Sequence, residues 1–208
     1  MSKSDANKSD LNDSNSNESD LNDLDLTAPR YAIEYPEELW SEILPGLTLG
    51  GTDDKDVIFE GIQGWGQDHT PSITTENFDT VITMYAFARP VDWFVKEFRF
   101  GIYDHDMQDF DTAELHDLVV AAHRDWKKGK RVLIRCQAGI NRSGLVMALM
   151  LIREGYEAEA AIDLMRHKRG EAVLANQYFE RWLLGLDVEG WREQTTSAPS
   201  TGRSKIAS

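Results

Sequence analysis

Cys136 is the only cysteine of the chain, and it lies in Val132-Leu133-Ile134-Arg135-Cys136-Gln137-Ala138-Gly139-Ile140-Asn141-Arg142-Ser143-Gly144. An apolar strand ends at the thiol, a short loop follows, and an arginine arrives six positions later at the start of an apolar helix. This is a phosphate trap with a nucleophile at its base. Backbone N–H groups of Gln137, Ala138, Gly139, Ile140 and Asn141, together with the helix N-terminus, favour an anion. Arg142 can fork two phosphate oxygens, which a lysine could not do. The same positive field favours the thiolate, the nucleophilic form, over the thiol. Ser143 stands where its hydroxyl can hydrogen-bond the sulfur, and Gly139 suits a loop that must turn its N–H groups inward through positive φ.

A leaving alcohol or phenol also needs a proton, best given by a carboxylate on a neighbouring loop. The segment Tyr103-Asp104-His105-Asp106-Met107-Gln108-Asp109-Phe110-Asp111 follows a strand and offers four aspartates. Asp111 is better used as a helix cap with Glu114 three residues on. Composition alone does not choose among Asp104, Asp106 and Asp109.

These residues need a scaffold, and strand and helix patterns alternate around them. Leu47–Leu49, between Pro45-Gly46 and Gly50-Gly51, reads as a short strand. Phe78–Met84, Phe98–Tyr103 and Arg131–Arg135 read as further strands. A helix starting at Asp111 carries Leu115, Leu118, Val119, Ala122 and Trp126 on one face and ends at Lys127-Lys128-Gly129. Ser143–Glu154 is apolar nearly all round, which predicts a central buried helix. Ala158–His167 and Ala172–Leu184 complete a helical C-terminal third. The fold class this implies is α/β, with a largely parallel sheet of about 4–5 strands flanked by helices.

At 208 residues there is room for one domain, expected over 29–190. Residues 1–28, rich in Ser, Asn and Asp with Ser-Asp-Leu-Asn-Asp twice, read as a disordered acidic tail, and 191–208 as a flexible one. Residues 57–77, with Gly61-Ile62-Gln63-Gly64-Trp65-Gly66, fit neither period and read as an irregular insertion. The formal net charge of -14 argues against nucleic acid and anionic membranes as partners. No apolar run is long enough to span a bilayer, and a polar acidic N-terminus is unlike a secretory signal. A lone cysteine gains nothing from an oxidising compartment, so the expected location is the cytoplasm.

From about Leu44 to Leu184 the chain resembles the dual-specificity branch of the cysteine-based protein tyrosine phosphatases. The resemblance rests on Leu44-Pro45-Gly46-Leu47-Thr48-Leu49-Gly50, on Phe78-Asp79-Thr80-Val81-Ile82, on the C-x5-R-S spacing of Cys136 to Ser143, and on Arg166–Gly170 with Asn176 and Phe179. It implies a tyrosine-phosphatase-like fold and a two-step reaction through a thiophosphoryl-cysteine. The family's general acid is the aspartate following the strand, about thirty residues before the cysteine, and here that position is Asp104. Arg142 and the loop N–H groups would neutralise developing charge, so no metal or other cofactor is expected. The implied partner is a phosphorylated protein or another phosphomonoester, and a monomer is favoured. The family usually has His before the nucleophile. Arg135 stands there instead.

Other readings of the same residues are weaker. Asp104-x-Asp106 after a strand echoes the aspartate-nucleophile phosphatases, but Met107-Gln108 follows where Gly-Thr belongs. A calcium loop would need a glycine and a glutamate where Asp109 and Leu115 stand. The five histidines share no ligand spacing with Cys136, and His116 and His123 read as surface residues on one helix face. Arg166-His167-Lys168-Arg169 reads as cations complementing a helix C-terminus, and Asn176 and Gln177 as candidates to brace the active-site loop. The alternatives on function are a phosphate-binding module without turnover, kept open by Arg135, and a phosphatase of a non-protein phosphomonoester.

Overall fold

A computed structural model describes residues 34–58, 71–107 and 111–194. The expected 1–28 tail, the Gly61–Gly66 run, His69, Asp109 and the end of the chain from 195 lie outside those residues. The described part is a five-stranded sheet with helices packed on it, the α/β class expected. The strands are β1 (Trp40–Leu44), β2 (Leu47–Gly50), β3 (Thr80–Thr83), β4 (Lys96–Arg99) and β5 (Val132–Arg135). Their spatial order is β1-β2-β5-β3-β4, with every neighbouring pair parallel except the β1–β2 hairpin. β5 therefore sits in the middle, and Cys136 emerges from its C-terminal end. That is where parallel α/β sheets hold ligands.

The helices are α1 (Thr112–Lys127), α2 (Arg142–Glu154), α3 (Ala158–Arg169), α4 (Gln177–Leu184) and α5 (Val188–Glu193). Asp111 caps α1 as expected, accepting from the Ala113 N–H at 2.7 Å. Every residue of α2 from Ser143 to Ile152 is buried, which makes it the central helix and fixes the position of its N-terminus. Its apolar side chains each contribute about 1.5–3 kcal/mol of burial. The period-two alternation of β5 splits the core. Val132, Ile134 and Cys136 join the main helix-covered cluster, while Leu133 joins Ile73, Phe78, Val81 and Val95 on the other face.

Several elements differ from the sequence reading. β4 lies at Lys96–Arg99 rather than Phe98–Tyr103, because its polar residues find ionic partners. Lys96 pairs with Asp125 at 2.8 Å and Glu97 with Arg135 at 3.3 Å. β1 has no strong alternation and is created by the Pro45-Gly46 turn, with Gly46 at φ 75°. The helix expected from Ala172 starts only at Gln177. Leu174 is buried at φ 61°, a left-handed conformation that ends any helix there, and Asn176 then caps α4. The C-terminal boundary expected at 190 falls inside α5, where Trp191 is buried.

His116 is also corrected: it is 1% exposed, with its ring edge-on to Trp191 at 4.8 Å and Nε2 3.5 Å from Arg153. Burial first, and the Arg153 charge second, pull its pKa below the ordinary value, against the pull of Asp117. Burial does the same to His123, opposed by Glu154 at 2.8 Å. A histidine depressed in the folded state binds its proton more readily when unfolded. Its contribution is complete above the unfolded value near about 6.5 and is lost as pH falls below it. Urea unfolding is therefore expected to give lower stability at pH 5.5 than at pH 7.5. His116→Gln should flatten that slope, and an unchanged slope would contradict this account.

Candidate active site

The loop after β5 is held from behind before it can hold anything in front. The Cys136 N–H donates to the Gly50 carbonyl at 3.2 Å, and Thr52 closes the other side through its hydroxyl to the Cys136 carbonyl at 2.8 Å. Gly139 takes φ 72°, and a Cβ there would overlap the backbone of Gly50 and Gly51 and the Arg169 guanidinium. The positive φ expected of Gly139 is thus present, and the close approach of the β2 end adds a second reason for glycine.

Cys136 itself is 2% exposed. Its sulfur receives the Gly139 N–H at 3.2 Å and lies 3.1 Å from the Ser143 hydroxyl. The Gly139 N–H is a donor to it and the Ser143 hydroxyl is within hydrogen-bond reach, so polar neighbours stand where water would otherwise solvate the sulfur. Among the described residues, no backbone acceptor takes the N–H groups of Gln137, Ala138, Ile140 or Asn141. Such a row of free donors at a helix start is suited to an anion. Arg142 contributes a further donor, since its buried Nε has no partner among the described residues. The rest of its guanidinium lies 5.3 Å from the Tyr85 ring centroid, with NH1 3.5 Å from the Met84 carbonyl.

Arg135 does not approach the thiol. It follows the strand alternation to the opposite face of the sheet, where it is 1% exposed. Its Nε donates to the Thr83 hydroxyl at 3.0 Å, and NH2 donates to the Arg89 carbonyl at 2.8 Å and to Glu97 at 3.3 Å. Burial lowers its guanidinium from the ordinary value, and the Glu97 charge opposes that. Arg135 is a fixed support that joins β5 to β3 and β4. Arg135→Met removes one partner of Glu97, which keeps the Thr83 hydroxyl at 2.6 Å and Arg99 at 2.9 Å, and is expected to cost about 1–3 kcal/mol in denaturant unfolding. Iodoacetamide alkylation of Cys136 in the folded variant should proceed as in the parent chain.

The cation that does reach the loop from behind is Arg169, which the sequence assigned to the end of a helix. It is 6% exposed, and its Nε donates to the Gly139 carbonyl at 2.8 Å. Its NH1 binds the Ser41 hydroxyl at 3.0 Å and its NH2 the Leu39 carbonyl at 3.2 Å. Burial pulls this guanidinium down, opposed by negative charge on Cys136 and Glu38. Arg169 thereby ties α3, β1 and the loop together, a role that no local signal in the sequence carries. Arg166 is used differently, on the Val173 carbonyl at 3.1 Å and Glu180 at 2.8 Å.

Asp104 is exposed and hydrogen-bonds Asn141 at 3.0 Å and Asn176 at 2.8 Å. It is thus tied to the residue just before Arg142. Asp106 instead lies 3.5 Å from His105, and Asp111 is the α1 cap. Asn176 braces the loop, its N–H donating to Asn141 Oδ1 at 2.9 Å, whereas Gln177 turns to Arg181 at 3.4 Å. A buried sulfur with donors, a row of free N–H groups, an arginine with a spare donor and a carboxylate beside them can together transfer a phosphoryl group.

The chain is similar to known proteins. Residues 68–188 match the family described as "Dual specificity phosphatase, catalytic domain". The chain is 25% identical over 152 residues to MAP kinase phosphatase with leucine-rich repeats protein 3 of Dictyostelium discoideum, covering 72% of this chain and only 16% of that protein. A protein of Invertebrate iridescent virus 6 named as a tyrosine phosphatase, 123R, is 29% identical over 117 residues, covering 51% of this chain and 78% of the viral one. The solved structure of human DUSP28 superposes with TM-score 0.55 at 16% identity, covering 77% of this chain and 97% of that one.

Proposed function

The chain belongs to the dual specificity phosphatase family, and on that premise we propose that it removes phosphate from phosphotyrosine and phosphoserine or phosphothreonine of proteins through Cys136. In the first step the Cys136 sulfur attacks phosphorus while the bond to the alcohol or phenol breaks. Asp104 gives its proton to the departing oxygen. In the second step water attacks the thiophosphoryl group, Asp104 takes its proton, and inorganic phosphate and thiolate are released. Ser143, 3.1 Å from the sulfur, stabilises the sulfur as it leaves. Arg142 and the N–H groups from Gln137 to Asn141 hold the phosphate oxygens in both steps.

The observation that carries this reading is the Arg142 Nε, unpartnered among the described residues, at the helix start next to a sulfur that already has two hydrogen-bonding neighbours. Arg135 no longer favours a module without turnover, because its guanidinium serves Glu97 and Thr83 and leaves the thiol's surroundings intact. The loop side chains Gln137, Ala138, Ile140 and Asn141 add no cation, which supports a phosphomonoester on protein over a polyphosphorylated lipid. Among the described residues, no helix is long and apolar enough to cross a membrane. A monomer acting in the cytoplasm is the setting we propose.

A panel of phosphotyrosine, phosphoserine and phosphothreonine peptides beside phosphoinositides tests the substrate class. Release of phosphate from peptides of both kinds is the expected result. Turnover confined to phosphoinositides, or none at all, would contradict the reading.

A further inference from the structure

Asp104 stands on a short exposed segment after β4, where a carboxylate would ordinarily move among rotamers. Instead each of its oxygens has its own amide donor. Asn141 Nδ2 donates to Oδ2 at 3.0 Å, and Asn176 Nδ2 donates to Oδ1 at 2.8 Å. The second hydrogen of Asn176 Nδ2 reaches the His105 carbonyl at 2.9 Å. Its Oδ1 accepts from the Tyr178 and Phe179 N–H groups at 2.9 and 3.4 Å, capping α4. Only one orientation of this amide satisfies all four contacts. The ring closes through the Asn176 N–H, which donates to Asn141 Oδ1 at 2.9 Å. Asn141 is itself the cap position of α2, next to Arg142.

We propose that Asn141 and Asn176 are positioning residues that hold Asp104 against the phosphate loop before substrate arrives. The assignment rests on the reading of Asp104 as the proton donor. Two consequences follow from the chemistry of the donors. Ordering of the acid segment is completed in folding, so substrate binding energy need not be spent on it. Both donors are neutral amides, one to each oxygen, and together they fix the plane of the carboxyl group. The carboxyl can then keep an amide bond through one oxygen and point its O–H at the leaving group with the other. The Asn141 side chain is therefore committed to Asp104, and only its backbone N–H is offered to phosphate. The charged neighbours on the outer side are His105 and Asp106, 3.5 Å apart, with the His105 ring stacked on Tyr178 at 6.0 Å.

The test is the double variant Asn141→Ala with Asn176→Ser, in which serine keeps a cap acceptor for α4 but is too short to reach Asp104. Aryl phosphates of rising leaving-group basicity are compared. For leaving groups as basic as tyrosine, kcat should fall about 10–100-fold with KM nearly unchanged. For a dinitrophenyl ester, whose leaving group needs no proton, the loss should shrink below about threefold. Asp104→Asn should show the same dependence more steeply. A loss equal for all leaving groups, or no loss, would overturn the proposal.

Hydrogen exchange of the amides from Tyr103 to Met107 reads the clamp without turnover. Faster exchange in the double variant is expected, and unchanged exchange would also overturn it. If no ester were hydrolysed by the parent chain, the phosphatase reading would fail while exchange still decided the clamp.

Discussion

Cys136→Ser should lower hydrolysis of every accepted phosphomonoester by at least about 10⁴-fold while leaving the fold intact. The substitution exchanges sulfur for oxygen at a site 2% exposed and changes little volume. The Gly139 N–H and the Ser143 hydroxyl would still find an acceptor. What is lost is the nucleophile, because an alcohol is a far weaker attacking group at neutral pH than a thiol, which is intrinsically strongly nucleophilic. The cradle of N–H groups and Arg142 remain, so a phosphotyrosine peptide should still bind. Calorimetry and steady-state kinetics on the same preparation separate the two. Binding without turnover is the expected pair of results, and turnover above the background rate would remove Cys136 from the reaction.

The second large effect is expected at Arg142. Arg142→Lys keeps the charge and should nonetheless lower kcat/KM about 10²–10³-fold. The guanidinium can offer a planar fork to two phosphate oxygens, and among the described residues its buried Nε has no other partner. Lysine is a point charge with rotating donors and cannot occupy both positions. Stability should hardly change, because among the described residues the Arg142 guanidinium makes only a 3.5 Å hydrogen bond and faces a distant ring. Denaturant unfolding of the variant checks that the loss is chemical. A rate within a few-fold of the parent would mean that charge alone, and not the fork, carries the phosphate.

What was legible in the sequence was local. The spacing from Cys136 to Ser143 sets a loop and a helix start within one stretch of chain, and the cap at Asp111 needs only its own turn. The uniform apolarity of α2 announced its central position. What was not legible depends on residues that meet only after folding. Arg169 reads as a helix-end cation, yet its donors end on Gly139 and Leu39, brought beside it by the central placement of β5. Arg135 looked like a replacement for a histidine near the thiol. Strand alternation, visible in the sequence, would have sent it to the other face, where Glu97 waits. His116 shares a helix face with His123 and so looked superficial, and only the return of α5 buries it under Trp191. The Asp104 clamp joins three segments through side-chain amides, and no spacing rule encodes such a ring.

The central claim is that the phosphoryl group passes through the Cys136 sulfur. Rapid acid quench during turnover of a phosphotyrosine peptide, followed by mass spectrometry of the digested chain, tests it most directly. The expected result is a phosphoryl adduct on the peptide carrying Cys136, absent from Cys136→Ser. A phosphoryl group mapped to any other residue, or hydrolysis that survives in Cys136→Ser, would contradict it.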